Sequence, residues 1–187
     1  GFIPQVLQAI AKVNQSDGYR VLLEVVEGNS TPDAYAEMVR SRQIDGMIVI
    51  DPATNDGQLR ALIDEHFPLV LLGSVRHPGE HSVNFSTRQA IEMAVDHLVD
   101  LGHTRIGHVT YSPVGYVATD ARLAAFRRAL DKHGLEFDSR RIGYGAFSAA
   151  SGDAATRTML AGLDTPPTVI LAGNDTIALG VMSALNA

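Results

Sequence analysis

The chain has 187 residues, 45% of them apolar, with no Cys and a formal net charge of −6. That length can bury a core without covalent staples, the lack of Cys excludes disulfides and thiolate metal sites, and the acidic balance argues against this chain neutralising nucleic-acid phosphates by itself. No apolar run reaches the roughly 20 residues of a membrane-spanning helix, and no signal peptide is visible, although an opening without Met reads as a trimmed start.

The elements follow in chain order. Pro4 to Gln15 predicts a helix, because Pro suits a first helical position and Val6, Leu7, Ile10 and Val13 share one face. Gly18 stops it, and Arg20–Val26 (RVLLEVV) predicts a buried strand. Thr31-Pro32-Asp33 opens a helix whose apolar stripe is Tyr35, Met38 and Val39. Gly46–Ile50 predicts a strand, Leu59, Leu62 and Ile63 a helix, and Pro68–Leu72 a further strand. The Pro, Gly and His stretch Val75–Val83 is a loop and the best internal boundary. Ser86-Thr87-Arg88-Gln89 reads as a capping box for a helix that carries Ile91, Ala94, Val95 and Leu98 as far as Gly102. Arg105–Thr110 predicts a strand, and Thr119–His133 a helix stopped by Gly134. Arg141–Ala146 is a weaker strand, and Gly152–Leu160 a helix. Val169–Ala172 is a strand that delivers Asn174 and Asp175 to the start of the last helix.

Strands alternating with helices predict an α/β protein of doubly wound parallel sheets. In such sheets ligands bind outside the carboxyl ends of the strands. That rule selects Glu27–Asn29, Asp51–Pro52, Gly73–Arg76, Tyr111–Tyr116, Ala146–Phe147 and Asn174–Asp175, together with the segment before Pro4. The mixture of amides, hydroxyls, Arg and rings suits a neutral polar ligand such as a sugar or nucleoside. Each candidate also has a plainer reading. Asn174 and Asp175 sit where an ordinary N-cap belongs, and one of them can cap while the other stays free. Phe147 could belong to a core, and Phe2 could be a hydrophobic staple. Arg122 falls in the first turn of its predicted helix, where a cation opposes the helix dipole, so a role in binding an oxygen-rich ligand is the sharper reading.

Other chemistry is not supported. Gly143–Gly152 (GYGAFSAASG) resembles a dinucleotide loop superficially, but the third glycine is misplaced and the preceding strand is weak. No Walker-type loop and no Gly-x-Ser-x-Gly elbow is present. His97, His103 and His108 lie on a helix, a turn and a strand, which is not a metal-ligand spacing. No nucleophile–base arrangement stands out. The expectation is therefore a binding protein, not an enzyme, with no metal and no cofactor.

The order of motifs resembles the effector-binding region of LacI/GalR-type bacterial transcription regulators, which shares its fold with periplasmic sugar-binding proteins. The stretches QVLQAIAKVNQSDGYRVLL, IDGMIVI, AVDHLVDLGHTRIGHV, RLAAFRRALDKHGL, GAFSAASGDAATRTML and PPTVILAGNDTIALGVMSAL carry the likeness over nearly the whole chain. The Leu-Gly-His-x-Arg-Ile core is the most specific of them. The resemblance implies two subdomains of the type I periplasmic-binding-protein kind, residues 1–83 and 84–187, with a small ligand, a sugar or derivative, held between them. It implies a cytoplasmic homodimer that reaches operator DNA through a helix-turn-helix domain outside this chain, and a fold whose first strand and final segments are missing here. A periplasmic binding protein serving a transporter is the alternative. Carried over position by position, the resemblance gives Phe2, Arg122, Phe147, Asn174 and Asp175 as ligand-binding residues. Ser74 joins them from the fourth strand's tip, where Gly73-Ser74 stand in place of a frequent Asp. Ala125 replaces the usual Gly of the Arg-x-x-Gly-Phe motif, and Phe85-Ser86 replace a frequent Asp-Asn.

Overall fold

The computed structural model describes residues 2–26, 33–53 and 56–186. The chain divides into two compact units, Gly1–Ala34 and Tyr35–Ala187. The first unit contains α1 (Phe2–Ser16), which Gly18 ends in the left-handed conformation at φ 81° while the Tyr19 amide donates back to the Asn14 carbonyl at 2.9 Å. The expected buried strand after it is not formed. Residues 20–26 have no strand assignment, and Val21, Leu22, Leu23 and Val25 are exposed. A strand exists through its ladder, and an apolar run with no described partner strand leaves its amides and carbonyls to water. Glu27–Pro32, which hold the first strand tip and most of the second helix start, lie outside the described residues.

The second unit holds two parallel sheets. The first has the order β1 (Met47–Ile50), β2 (Leu69–Leu72), β3 (His81–Val83), with Ile50 opposite Leu72 and Leu72 opposite Val83. α2 (Ala34–Arg40) precedes β1, and α3 (Gly57–Asp64) lies between β1 and β2 and buries Leu59 and Leu62. β3 falls within the stretch expected to be a loop. All three of its residues are exposed, so no apolar pattern announces it, and backbone pairing to β2 creates it.

The second sheet has the order β5 (Ile142–Tyr144), β4 (Ile106–Thr110), β6 (Val169–Ala172), all parallel. α4 (Thr87–Asp100) and α5 (Val117–Lys132) pack together on one face. There Ile91, Val95, Phe126, Ala129 and Leu130 meet Ile106 and Ile142. α6 (Ala149–Ala161) and α7 (Asp175–Leu185) cover the other face, where Met159, Ile177 and Val181 meet Val109. The period-two alternation of β4 sends Ile106 and Val109 to opposite faces, which is why all five of its residues are buried. Ser86 caps α4 by accepting the Gln89 amide at 3.3 Å. A reciprocal capping box stands instead at α6, between Ser148 and Ser151. Among the described residues no helix is long and apolar enough to cross a membrane.

Candidate functional site

The carboxyl ends of β1 and β4 come together. Asp51 follows β1 with φ 57°, and its amide donates to the Leu72 carbonyl at 3.1 Å. Ala53 forms an antiparallel bridge with Tyr116, and the Val117 amide donates to the Pro52 carbonyl at 3.4 Å. The tip of the first sheet is thereby tied to the segment that opens α5. Beyond β4, a set of buried hydroxyls fixes the turn. Ser112 Oγ and Thr119 Oγ1 lie 2.6 Å apart, and Thr110 Oγ1 donates to the Ser112 carbonyl at 2.9 Å. These bonds hold Tyr111 on one side of the turn and α5 on the other.

Arg122 extends from α5 with its guanidinium carbon 4.5 Å from the centre of the Tyr111 ring, a cation–π geometry. The helix begins at Val117, two residues earlier than expected, so Arg122 lies in the second turn and not the first. A cation in the second turn opposes the helix dipole less than one in the first, and what sets Arg122 apart is its partners. Asp51, Tyr111 and Arg122 lie within electrostatic reach of one another: the Asp51 carboxyl and the Tyr111 phenol each influence the other, and Arg122 adds its charge to both. Burial raises the Asp51 carboxyl above its ordinary value, with Tyr111 and Arg122 pulling the other way. Burial, followed by the charge of Asp51, pushes the Tyr111 phenol up to about 12. Asp51 Oδ1 and Arg122 Nη1 are both buried without a hydrogen-bond partner among the described residues.

Phe147 completes the cluster. It takes φ 62°, uncommon for a bulky residue, and its amide donates to the Tyr111 carbonyl at 2.8 Å. Its ring meets Tyr111 edge-on at 6.0 Å and Tyr116 edge-on at 5.2 Å. At 49% exposure it is not a core residue. The left-handed turn keeps the ring at the surface against two tyrosines. The amides of Ala146, Ser148 and Ser151 in the glycine-rich stretch all donate to serine hydroxyls, so the stretch does not present them as a free phosphate cradle.

The remaining candidates differ. Asn174 is the N-cap of α7, its Oδ1 accepting the Ile177 amide at 2.9 Å, which leaves its amide N–H groups available. Asp175 is exposed in the first turn. Gly173 places this tip beside Tyr111, since a Cβ there would lie 2.6 Å from the Tyr111 amide nitrogen. The Ser74 hydroxyl is engaged by the Glu80 carboxylate, whose other oxygen accepts the Val75 and His77 amides, so Ser74 serves its own loop. Phe2 opens α1, and its side chain lies outside the described residues. The structure thus joins Arg122 and Phe147 through Tyr111 and adds Asp51 and Tyr116. The strand-end rule had reached both stretches, but neither residue stood out, because their significance lies in contacts across two sheets.

His108 lies beneath the cluster, fully buried, 2.7 Å from the Leu171 carbonyl through Nδ1 and 5.2 Å from the Phe126 ring. Desolvation brings it down to about 4, so the imidazole is neutral at neutral pH. Among the described residues no group of three His, Asp or Glu is placed to hold a metal ion. The groove along β5 and α6, about 560 Å³ and lined by Gly143, Tyr144, Ala155 and Met159 among others, runs beside an edge strand and includes none of the clustered residues.

Comparison with known proteins bears on the family and the fold. A family described as periplasmic binding proteins and the sugar-binding domain of the LacI family matches residues 2–187. The HTH-type transcriptional repressor CytR of Escherichia coli is 26% identical over 97% of this chain and 53% of its own length. The HTH-type transcriptional regulator MalR of Streptomyces coelicolor is 28% identical over 97% of this chain and 55% of its own. The chain therefore spans about half the length of the curated relatives it matches. Among solved structures, a Bacillus cereus subsp. cytotoxis protein assigned as a LacI transcriptional regulator superposes with TM-score 0.89 at 30% identity, covering 99% of this chain and 66% of that one. A LacI family regulator of Lactobacillus casei with bound sucrose gives TM-score 0.80 at 25% identity, covering 99% and 69%.

Proposed function

The chain belongs to the family of periplasmic binding proteins and LacI-type sugar-binding domains, and on that premise we propose that it is the ligand-sensing part of a transcriptional regulator. The ligand is a small neutral molecule, a sugar or sugar derivative. The observation that carries this reading is the cluster at the ends of β1 and β4. A buried guanidinium nitrogen without a partner among the described residues stands there with a half-exposed aromatic ring. Such a pairing suits a ligand that offers oxygen acceptors on its edge and C–H groups on its face. Arg122 donates to the ligand and Phe147 stacks on it. Asn174 donates through its side-chain amide, and Asp175 stands beside it.

In this proposal residues 1–83 and 84–187 form two subdomains around the ligand. Ligand binding biases their arrangement, and an attached helix-turn-helix domain outside this chain reads the bias at operator DNA. Coupling of that kind is typically about 1–3 kcal/mol. The regulator acts in the cytoplasm as a homodimer and uses no cofactor, and the ligand is bound without turnover. The relatives described as transcriptional repressors support this over a transporter-associated binding protein. A thermal-shift screen of sugars and nucleosides on the full chain tests it. A stabilising sugar confirmed by calorimetry and recovered unchanged is the expected outcome. A chain that binds none of them, or one that converts a sugar to product, overturns the proposal.

A further inference from the structure

We propose that Asp51 contacts the ligand and acts with Arg122 as a donor–acceptor pair that selects neutral rings bearing adjacent hydroxyls over anionic ones. This rests on the reading of the strand-tip cluster as the ligand site. Asp51 is placed by the backbone, not by a structural task of its own. It takes a left-handed φ of 57°, which Asp tolerates better than most residues. The cap of α3 is Asp56, whose Oδ1 accepts the Gln58 and Leu59 amides at 3.1 Å each, so the helix makes no use of Asp51. The neighbouring tip of β2 carries no side chain, because Gly73 sits at φ 126° and a Cβ there would come within 2.8 Å of Pro52 Cδ. Asp51 is then the acid that these two tips turn toward Tyr111 and Arg122.

Among the described residues two atoms of opposite kind are left unpartnered in this group: Asp51 Oδ1, an acceptor, and Arg122 Nη1, a donor. Leaving either buried and unbonded is costly. A hydroxyl both donates and accepts, so two adjacent hydroxyls can satisfy the carboxylate and the guanidinium together. An anion meets a different site. The Asp51 charge already offsets that of Arg122 and repels a second negative group. A phosphate ester therefore finds no uncompensated cation here.

The test uses the full chain and its Asp51→Asn variant, which keeps the side-chain shape and tolerates the same φ. Calorimetry is run with ribose, glucose, adenosine and cytidine, and with the deoxy analogue and phosphate ester of each. Charge-assisted bonds of this kind correspond to losses of about tenfold or more when removed. The wild type should bind a neutral probe and bind its deoxy analogue and its phosphate ester about tenfold more weakly or worse. Asp51→Asn should lose about tenfold or more on the neutral probe and narrow the gap to the ester, with thermal unfolding unchanged. If the variant does not fold, the wild type alone still decides through the deoxy and ester comparisons and a pH series. Because burial raises the carboxyl, affinity should fall as acid protonates Asp51. A variant that keeps affinity within about twofold, or a wild type that prefers the ester or ignores acid, overturns the Asp51 assignment while the ligand-sensing reading stands. A wild type that binds no probe overturns both.

Discussion

His108 shows what burial does to a titratable residue that the site does not expose. Its Nδ1 proton goes to the Leu171 carbonyl, Nε2 has no partner among the described residues, and after desolvation the Arg122 charge further disfavours a second positive group nearby. The folded-state value is about 4 against an ordinary 6.5. Between those pH values the unfolded chain takes up a proton that the folded one refuses, so stability falls as pH drops through this window. The loss expected from this residue is roughly 3 kcal/mol. His108→Gln keeps a donor for Leu171 and does not titrate, so denaturant midpoints measured from pH 7 to pH 4 should fall less steeply than in the wild type. Parallel curves would remove His108 as the cause. At this scale the sequence was partly legible. Arg122 and Phe147 were singled out from position, type and the family resemblance, and the structure brings them to Tyr111, yet Tyr111 and Asp51 stand 60 positions apart, beyond the reach of local spacing.

The helices and strands were read well where an apolar period existed and badly where backbone pairing decided. The period-3.6 stripe of Ile91 and Val95 predicted α4, and both residues are buried. Residues 20–26 had the composition of a strand without a ladder, and β3 had a ladder without the composition. Glycine positions were legible as residues but not as contacts. Gly180 faces α6, and a Cβ added there would fall on the Ala149 carbonyl oxygen and within 2.7 Å of the Asp153 amide. Gly180→Ala should therefore destabilise by about 1–3 kcal/mol despite the better helix propensity of Ala. Gly57, at the start of α3, has open space around its Cβ position. Gly57→Ala should be neutral or stabilising when both variants are compared by urea titration. Equal, stabilising effects at both sites would mean that α6 and α7 are not in close contact there.

For the whole molecule, ligand binding is the event that should change stability most. A ligand that binds only the folded state at a concentration of 100 times Kd adds about 2.7 kcal/mol. The Ala53–Tyr116 bridge and the Val117 amide bond to Pro52 connect the two sheets beside the proposed contacts. Hydrogen exchange at Val117 should therefore slow when a ligand identified by the screen is present. Stabilisation without protection at Val117 would place that ligand elsewhere. The amino-acid sequence by itself determined the α/β alternation and the parallel character of the sheets. It could do so because hydrophobic period, caps and glycine stops act over a few residues. The tertiary structure decided which strands formed, which face each sheet residue took, and which side chains met at the tips. A ladder, a buried unpaired atom and a ring against a ring each need two segments distant in sequence, and only folding brings those segments within bonding distance.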